Sequence, residues 1–353
     1  MRSPTPPPCV VPAAQIVATG VASPYPVLQL ATGMNVPDDL LYSGADGTVL
    51  VGEHGDGHIS RVGGAASFER LPQVVGEAEG IAQVGGVTYV ADQVNNRVVS
   101  LTATGVQTLI QLQPDPNGLN LDGIATDASG TGLVVPDSPH GTVLFVDTSG
   151  HITRRVGGFS RPAGVSVEQV AQGAGYLIAD ENAAAVFELL GGTATRLAGG
   201  LPGVDDVARD AAGHVVVILP ERGTLHDVTT GADLASGLRN PQGLGFDGSR
   251  NLLVTESDNG RLDLVVTTFA VQVPSGVVQL VPGQSVCFGV LRAPGFTAPV
   301  TVQELDGGTQ WTDPAGGLVG EVTPSLCSSP PCTVKVVVAS PVGIQYAYFS
   351  YRD

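Results

Sequence analysis

Short apolar runs separated by Gly-rich and polar turns recur along most of the chain. In the segment LDGIATDASGTGLVVPDSPHGTVLFV, Val143 and Phe145 lie on one face of an apolar run, and Leu144 and Val146 lie on the other. Apolar residues on both faces are typical of a strand that is packed between two neighbouring sheets. This segment and its continuation predict four strands, at 123–126, 133–135, 142–146 and 151–156.

Six segments of the chain share this pattern, although not all of them include the fourth strand. The first aligned residue of each unit is Asp39, Gly80, Gly123, Gly164, Asp206 or Gly243. A repeat of roughly 40 residues with several short strands is the signature of a propeller blade. The sixth unit lacks a fourth strand, and VLQLATGM before the first unit is similar to the fourth strands ATRLAGGL and ADLASGL. We therefore expect residues 27–32 to complete the last blade, which would remove an exposed sheet edge.

The sequence thus predicts an all-β protein with three parts. A Pro-rich flexible tail at 1–13 precedes a six-bladed β-propeller at 14–270 that is closed by its N-terminal strand. The remaining residues, 271–353, form a small β-sandwich with strands at 277–281, 286–291, 300–305, 334–339 and 344–350. This domain contains the single tryptophan, Trp311, which is interpreted as a packing anchor, with a ligand platform as the alternative.

Composition restricts the partners. The formal net charge is -17 and only 14% of the residues are charged, so no basic surface is available for nucleic acid or an anionic membrane. Lys335 is the only lysine, which excludes a lysine nucleophile from the propeller. No apolar run approaches the ~20 residues of a membrane span, and MRSPTPPPCVVP lacks the apolar core of a signal peptide. Low charge and abundant Gly favour a secreted or cell-surface protein whose signal peptide is absent from this sequence.

Four cysteines allow three pairings. Cys327 and Cys332 flank the turn-forming SSPP, so a small disulfide ring is expected there. Cys9 and Cys287 then form a second bridge or remain free thiols. The alternative is that all four are reduced and buried.

The segment VGEHGDGHISRV, residues 51–62, places four polar residues close together, which suggests a metal or catalytic cluster. Alignment of the units gives a simpler interpretation. Its glutamate belongs to an acidic column at the end of each second strand, and EHGDG is the turn that follows, with Asp and Gly as turn residues. We call this set the outer column: Glu53, Asp92, Asp137, Asp180 and Glu256, with Leu219 in the fifth unit.

A second acidic column directly precedes the first aligned residue of each unit. We call it the inner column: Asp38, Glu79, Asp122, Ala163, Asp205 and Gln242. The first strand of a blade lines the central tunnel, so these residues should meet at the tunnel mouth. Like charges that converge raise one another's pKa unless a cation neutralises them, and Ca²⁺ or another divalent metal accepts oxygen ligands of this type. The alternative is that the carboxylates bond backbone N–H groups of the next blade, which we favour for the outer column.

The units, of the form GIAxDxxGxxYVADxxNxRV, resemble NHL-type repeats and the SMP-30/gluconolactonase and streptogramin-lyase-like propellers over about residues 27 to 267. This resemblance implies a divalent metal at the mouth, held by Glu79, Asp122 and Asp205, with Asp38 in place of the family's glutamate. It also implies a substrate contact at Asn120 in NLDGIATDASG. Streptogramin-lyase-like propellers use His and Glu at this mouth, and EHGDGH is similar to their pattern.

Three functions follow. The favoured one is an extracellular, non-catalytic protein that presents its acidic mouth to a small-molecule or protein ligand, with Gln242 among the ligand contacts. The second is a metal-dependent lactone or ester hydrolase, in which His54 or His140 moves a proton. The third is a quinone-dependent sugar dehydrogenase, which NPQGLGF…LLVTES…GRL resembles.

Overall fold

A computed structural model gives the fold of most of the chain. The described residues are 18, 20–63, 68–113, 115, 120–170, 173–210, 212–272, 277–279, 286–304, 310–313, 319–322 and 332–352. Their regular structure is β-strand, apart from 3₁₀ turns at Ser138–His140 and Pro220–Arg222. None of them belongs to a helix with the length and apolarity that crossing a bilayer requires. The predicted tail at 1–13 lies outside the described residues.

Six four-stranded antiparallel sheets form the blades. Strand β1 (Val27–Thr32) precedes blade 1, which contains β2 (Pro37–Tyr42), β3 (Val49–Glu53), β4 (His58–Val62) and β5 (Phe68–Val74). Blade 2 contains β6 (Ala78–Val84), β7 (Val87–Asp92), β8 (Arg97–Thr102) and β9 (Gly105–Gln111). Blade 3 contains β10 (Ala125–Thr126), β11 (Gly132–Asp137), β12 (Thr142–Asp147) and β13 (Ile152–Gly157).

The remaining blades repeat the arrangement. Blade 4 contains β14 (Pro162–Val170), β15 (Gly173–Asp180), β16 (Ala185–Leu190) and β17 (Thr193–Gly199). Blade 5 contains β18 (Val207–Arg209), β19 (Val215–Leu219), β20 (Thr224–Asp227) and β21 (Ala232–Ser236). Blade 6 contains β22 (Pro241–Phe246), β23 (Leu252–Glu256), β24 (Arg261–Val265) and β1.

The first strands of the blades contact one another around a ring, in the order β2, β6, β10, β14, β18, β22 and back to β2. Strand β1 pairs antiparallel with β24, with Val27 opposite Val265 and Thr32 opposite Arg261. Blade 6 therefore combines strands from both ends of the propeller sequence. Its outermost strand spans the residues, 27–32, that the sequence assigns to it.

Apolar clusters between neighbouring sheets hold the blades together. Val98 of blade 2 and Leu133 and Leu144 of blade 3 are fully buried in one of them. Val134 of blade 3 and Ile178 of blade 4 are fully buried in the next. Removing such side chains from water contributes about 25 cal/mol per Å² of apolar surface. Because successive residues of β11 face opposite sides, one blade packs against both of its neighbours.

Glycines at the start of several first strands allow neighbouring blades to approach closely. A Cβ on Gly80 would lie 2.2 Å from the backbone N of Ile124, and one on Gly164 would lie 2.5 Å from the carbonyl O of Asp205. The Gly80 N–H donates to the carbonyl of Asp122 at 3.2 Å, and the Gly164 N–H donates to the carbonyl of Asp205 at 2.9 Å. These short backbone contacts bring the inner column close to the tunnel axis.

The chain from Phe269 onward forms two further sheets. One contains β25 (Phe269–Gln272), β27 (Val286–Arg292) and β30 (Val319–Val322), and the other contains β26 (Val277–Gln279), β28 (Val300–Glu304), β29 (Gln310–Asp313), β31 (Cys332–Ser340) and β32 (Gly343–Arg352). Both sheets contribute to one buried cluster, which includes Val290 from the first and Val302 and Val336 from the second. The sandwich and its boundary at residue 271 stay predictions.

The C-terminal region contacts the propeller at the turns between the first and second strands of blades 1 and 6. The Gln345 side chain donates to Asp247 Oδ2 at 2.9 Å, and the Tyr348 hydroxyl donates to the Asp46 carbonyl at 2.8 Å. The Ile344 N–H donates to the carbonyl of Gly248 at 2.8 Å. These bonds tie the region to the junction at which the last blade meets the first.

Cys332, the first residue of β31, is disulfide-bonded. The side chains of Cys9, Cys287, Cys327 and Trp311 lie outside the described part of the chain. The pairing of Cys327 with Cys332, and of Cys9 with Cys287, therefore stays a prediction, as does the role of Trp311.

Replacing Gly80 by alanine should destabilise the propeller. The added Cβ would overlap backbone atoms of blade 3, and overpacking of this kind costs roughly 1–3 kcal/mol. Gly44→Ala is the control, since no atom lies within 4 Å of a Cβ at that position. Urea unfolding monitored by circular dichroism measures the free energy of unfolding of both variants. Equal stability of the two variants would show that the blades do not approach as closely as described.

Candidate metal centre at the tunnel mouth

Three carboxylates from consecutive blades converge at one end of the tunnel. Asp38 lies in β2, Glu79 lies in β6, and Asp122 lies just before β10. Each offers an oxygen, and these oxygens all lie within 4.8 Å of one another. Glu79 and Asp122 are buried, at 3% and 9% exposed, and Asp38 is partly exposed. We call these three residues the carboxylate cluster.

Two further inner-column residues border the cluster. Asp205 and Gln242 line a small space together with Asp38 and Asp122. The space measures about 10 Å³, which is enough for about one water molecule or one ion. The Gln242 amide donates to Asn240 Oδ1 at 3.1 Å. Asp39 and Asp206 also line this space, whereas Glu79 does not, so five carboxylates and one amide surround a position of atomic size.

Burial raises the pKa of Asp38, Glu79 and Asp205 well above the usual range of carboxyl groups. Repulsion from neighbouring carboxylates adds to this effect, chiefly from Glu79 on Asp38 and from Asp122 on Glu79 and Asp205. The group therefore holds protons unless a cation takes their place. Its oxygen ligands and its excess negative charge both suit Ca²⁺ or a similar hard cation.

His54 and Arg161 are the cationic or ionisable partners of the cluster. His54 Nδ1 contacts Oε1 of Glu79, and its ring is about one third exposed. Arg161 Nη2 lies 3.3 Å from Asp122 Oδ2, and the same guanidinium pairs with Glu181. Burial raises the pKa of Asp122, but the charges of Arg161 and His54 oppose that rise. The imidazole ring of His54 and the positive charge of Arg161 thus flank the carboxylates.

The outer column has a structural role in four of the blades. Asp180 accepts the N–H groups of Ser160 at 2.7 Å and Arg161 at 2.9 Å. Corresponding bonds reach Glu53 from Asn35 N, Asp92 from Gly76 N, and Glu256 from Arg239 N. The donors precede the first strand of the same blade, so the prediction that the next blade supplies them is wrong. Since the first and second strands of one blade are paired, the segment that leads into the first strand is nearer than the next blade.

Two predicted residues make other contacts. Asn120 is buried, and its Oδ1 accepts the N–H of Asp115 at 3.1 Å. His140 is about half exposed and its Nδ1 lies 2.8 Å from Asp137 Oδ1, in the outer column. Neither residue lines the small space between the inner-column carboxylates. Of the two candidate histidines, the structure places His54 at the carboxylate cluster.

Sequence reasoning gave no role to Arg161, Asp39 or Asp206. Arg161 precedes Ala163, where blade 4 lacks the inner acid, and that missing charge is the signal that could have revealed it. Asp39 and Asp206 occupy the aligned column that is glycine in the other blades. Asp39 accepts the N–H of Ile81 at 3.3 Å, and Asp206 accepts that of Leu244 at 2.9 Å. At these two positions a side-chain hydrogen bond to the following blade takes the place of the close backbone contact that glycine allows in the other blades.

The protein without metal should lose stability as the pH rises from 5 to 8. Burial raises the pKa of Asp206 from 3.8 to about 7 and that of Asp263 from 3.8 to about 8. Between the unfolded and folded values the folded state binds more protons, so the free energy of unfolding falls with rising pH. Thermal melting in EDTA should therefore give a Tm several degrees lower at pH 8. Asp206→Asn should weaken this dependence, and an unchanged or rising Tm in wild type would contradict it.

The fold has counterparts among solved structures. A gluconolactonase from Xanthomonas campestris is 14% identical, with a TM-score of 0.55 over 74% of this chain and 98% of that one. A calcium-binding protein, regucalcin, from Agrobacterium tumefaciens is 16% identical, with a TM-score of 0.53 over 67% of this chain and 92% of that one. Virginiamycin B lyase from Staphylococcus aureus is 12% identical, with a TM-score of 0.50 over 93% of this chain and 98% of that one.

No protein-family model and no curated protein sequence matches the chain. At identities of 12% to 16% the structural likeness establishes the fold alone. The chain therefore has the β-propeller fold that virginiamycin B lyase, gluconolactonase and regucalcin share.

Proposed function

We propose that the protein is a divalent-metal-dependent hydrolase that acts on lactones or related esters at the tunnel mouth. The observation that carries this proposal is the convergence of Asp38, Glu79 and Asp122 from three blades, with oxygens within 4.8 Å of one another. Asp205 lines a small space beside this cluster, together with Asp38 and Asp122. Two similarly folded proteins, described as a gluconolactonase and as a calcium-binding protein, support the assignment.

The residues present fit a hard cation. Carboxylate oxygens are the ligands that Ca²⁺ prefers, and the small space has the size of one ion. A bound cation supplies Lewis-acid chemistry, in which a substrate carbonyl is polarised and the pKa of a bound water falls. Asp38, Glu79, Asp122 and Asp205 would hold it, in agreement with the sequence prediction of Ca²⁺ or another divalent metal.

The chain's own groups provide proton transfer and orientation. His54 Nδ1 contacts Glu79, which fixes the ring so that Nε2 is the nitrogen available to a water or substrate hydroxyl. Arg161 is held by both Asp122 and Glu181, and Asp180 fixes its backbone. It would carry a positive charge at the rim and orient Asp122. The Gln242 amide would bond a substrate oxygen.

A non-catalytic ligand-binding role is the second candidate, and one contact favours it. The ion pair between Arg161 and Asp122 partly neutralises the cluster without any metal. The comparisons give no support to this role, which was the one that the sequence favoured. The dehydrogenase alternative and the secreted or cell-surface location stay predictions.

Calcium should raise the thermal stability of the protein. A ligand that binds only the folded state at a hundredfold excess over its Kd adds about 2.7 kcal/mol, which is several degrees in Tm. Asp122→Asn should abolish this shift. Glu69→Gln, which removes one partner of an exposed ion pair with Arg61, is the matched control and should keep it. Melting curves in EDTA, Ca²⁺, Mg²⁺, Mn²⁺ and Zn²⁺ would reject the metal centre if none of them differed.

Catalysis should depend on His54 separately from metal binding. His54→Gln should lower kcat on a panel of lactones and aryl esters by a factor of about 10² or more, since general acid–base groups contribute roughly 10²–10⁴. It should leave the calcium-dependent shift in Tm in place. Asp122→Ala and Asp205→Ala should abolish both activity and shift, whereas Glu69→Gln should change neither. Activity that survives the two Asp variants would exclude this site.

A further inference from the structure

Beyond the carboxylate cluster, the tunnel widens into a cavity of about 520 Å³. This volume lies in the range of small-molecule binding sites, roughly 300–1,000 Å³. Each blade contributes at least one apolar side chain to its wall, and six of these residues occupy equivalent positions. These residues follow the aligned column directly: Leu40, Ile81, Ile124, Val165, Val207 and Leu244.

The charged residues that line this cavity are all acidic. Asp39 and Asp206 lie at its inner end, where they also border the small space at the mouth, and Asp127 lies in the turn at its outer end. Asp39 Oδ1 accepts the N–H of Leu40 at 2.7 Å, and Asp206 Oδ1 accepts that of Val207 at 2.7 Å. These bonds orient the carboxylates, and each oxygen keeps further acceptor capacity.

The outer end of the cavity lies at the turn between β10 and β11, which includes the exposed Ser129 and Gly130. This turn joins the first two strands of blade 3, at the end of the blade opposite to the inner column. Val167, which is 37% exposed, also lines the cavity. In addition, Ser166 lines it, and Ser166 Oγ is buried with no hydrogen-bond partner among the described residues. A ligand could therefore enter from the side away from the carboxylate cluster and meet an unused hydroxyl.

We propose that this cavity is a second binding site, for a small amine with a compact hydrocarbon body. The ammonium group would lie between Asp39 and Asp206, and it has three N–H donors to offer to their oxygens. The hydrocarbon would fill the apolar ring formed by the six blades, where each Å² removed from water contributes about 25 cal/mol. A carboxylate ligand is excluded by the acidic lining. The inference does not rest on the proposed hydrolase activity, and Asp39 and Asp206 separate this cavity from the small space at the mouth, which they also line.

Isothermal titration calorimetry with adamantylamine tests this site, with adamantanol and adamantane carboxylate as matched probes of equal shape. Adamantylamine should bind with a stoichiometry of one. Adamantanol should bind at least about tenfold more weakly, and the carboxylate should not bind. The titrations are carried out in EDTA, because Asp39 and Asp206 also border the small space proposed for the metal. Equal binding of amine and alcohol, or no binding of either, would overturn the proposal.

Two variants locate the site. Val167→Arg places a positive charge at the exposed end of the cavity, where it does not disturb the core, and should weaken adamantylamine binding about tenfold or more. Asp206→Asn should reduce the preference for amine over alcohol. Glu69→Gln is the control on the outer surface and should bind as wild type does. Wild-type affinity of a folded Val167→Arg protein, with melting curves as the check of folding, would place binding elsewhere and refute the assignment.

Discussion

The closeness of the innermost strands determines the rest of the propeller. At Gly80 and Gly164 the backbones of neighbouring blades approach within distances that exclude any side chain. This close approach narrows the tunnel at the aligned column. The inner-column residues, which directly precede that column in sequence, must therefore share a small volume. Acidic residues at those positions would repel one another in water, but here the fold itself holds Asp38, Glu79 and Asp122 together. The energy that opposes this repulsion comes from the apolar clusters between the blades, such as the one around Leu133 and Val98.

The two acidic columns show how position decides the role of a carboxylate. Asp180 and Glu53 lie one strand further out, where N–H groups of the segment leading into the blade, and arginines, satisfy their charge. Asp38 and Glu79 lie at the axis, where the available neighbours are chiefly other acids. An outer carboxylate therefore stabilises its own blade, whereas the inner ones store an unfavourable interaction that a cation can relieve. Arg161 connects the two sets, since Asp180 fixes its backbone and Asp122 receives its guanidinium.

Much of this could be read from the sequence because propeller units repeat. Alignment of the units located the blades, strand 27–32 and the inner column, since a recurrent position in the sequence becomes a recurrent position around an axis. The alignment had less power where a blade departs from the pattern. Arg161 lies outside the aligned columns. Its effect on Asp122 depends on the length and direction of its side chain, which the repeat pattern does not encode. The alignment shows that Asp39 and Asp206 occupy a column that is glycine in the other units. Only the coordinates show that these two residues border a cavity. In the C-terminal region, strands Phe269–Gln272, Gln310–Asp313 and Val319–Val322 were missed because no repeat supports them.

The attachment of the C-terminal region has a mechanical consequence. Its bonds from Gln345 and Ile344 end on blade 6, and its bond from Tyr348 ends on blade 1. These are the two blades between which the chain completes the circle, with β1 paired to β24. A force applied to the C-terminal region would thus act across the seam of the ring, and the same bonds would share that load between its two sides.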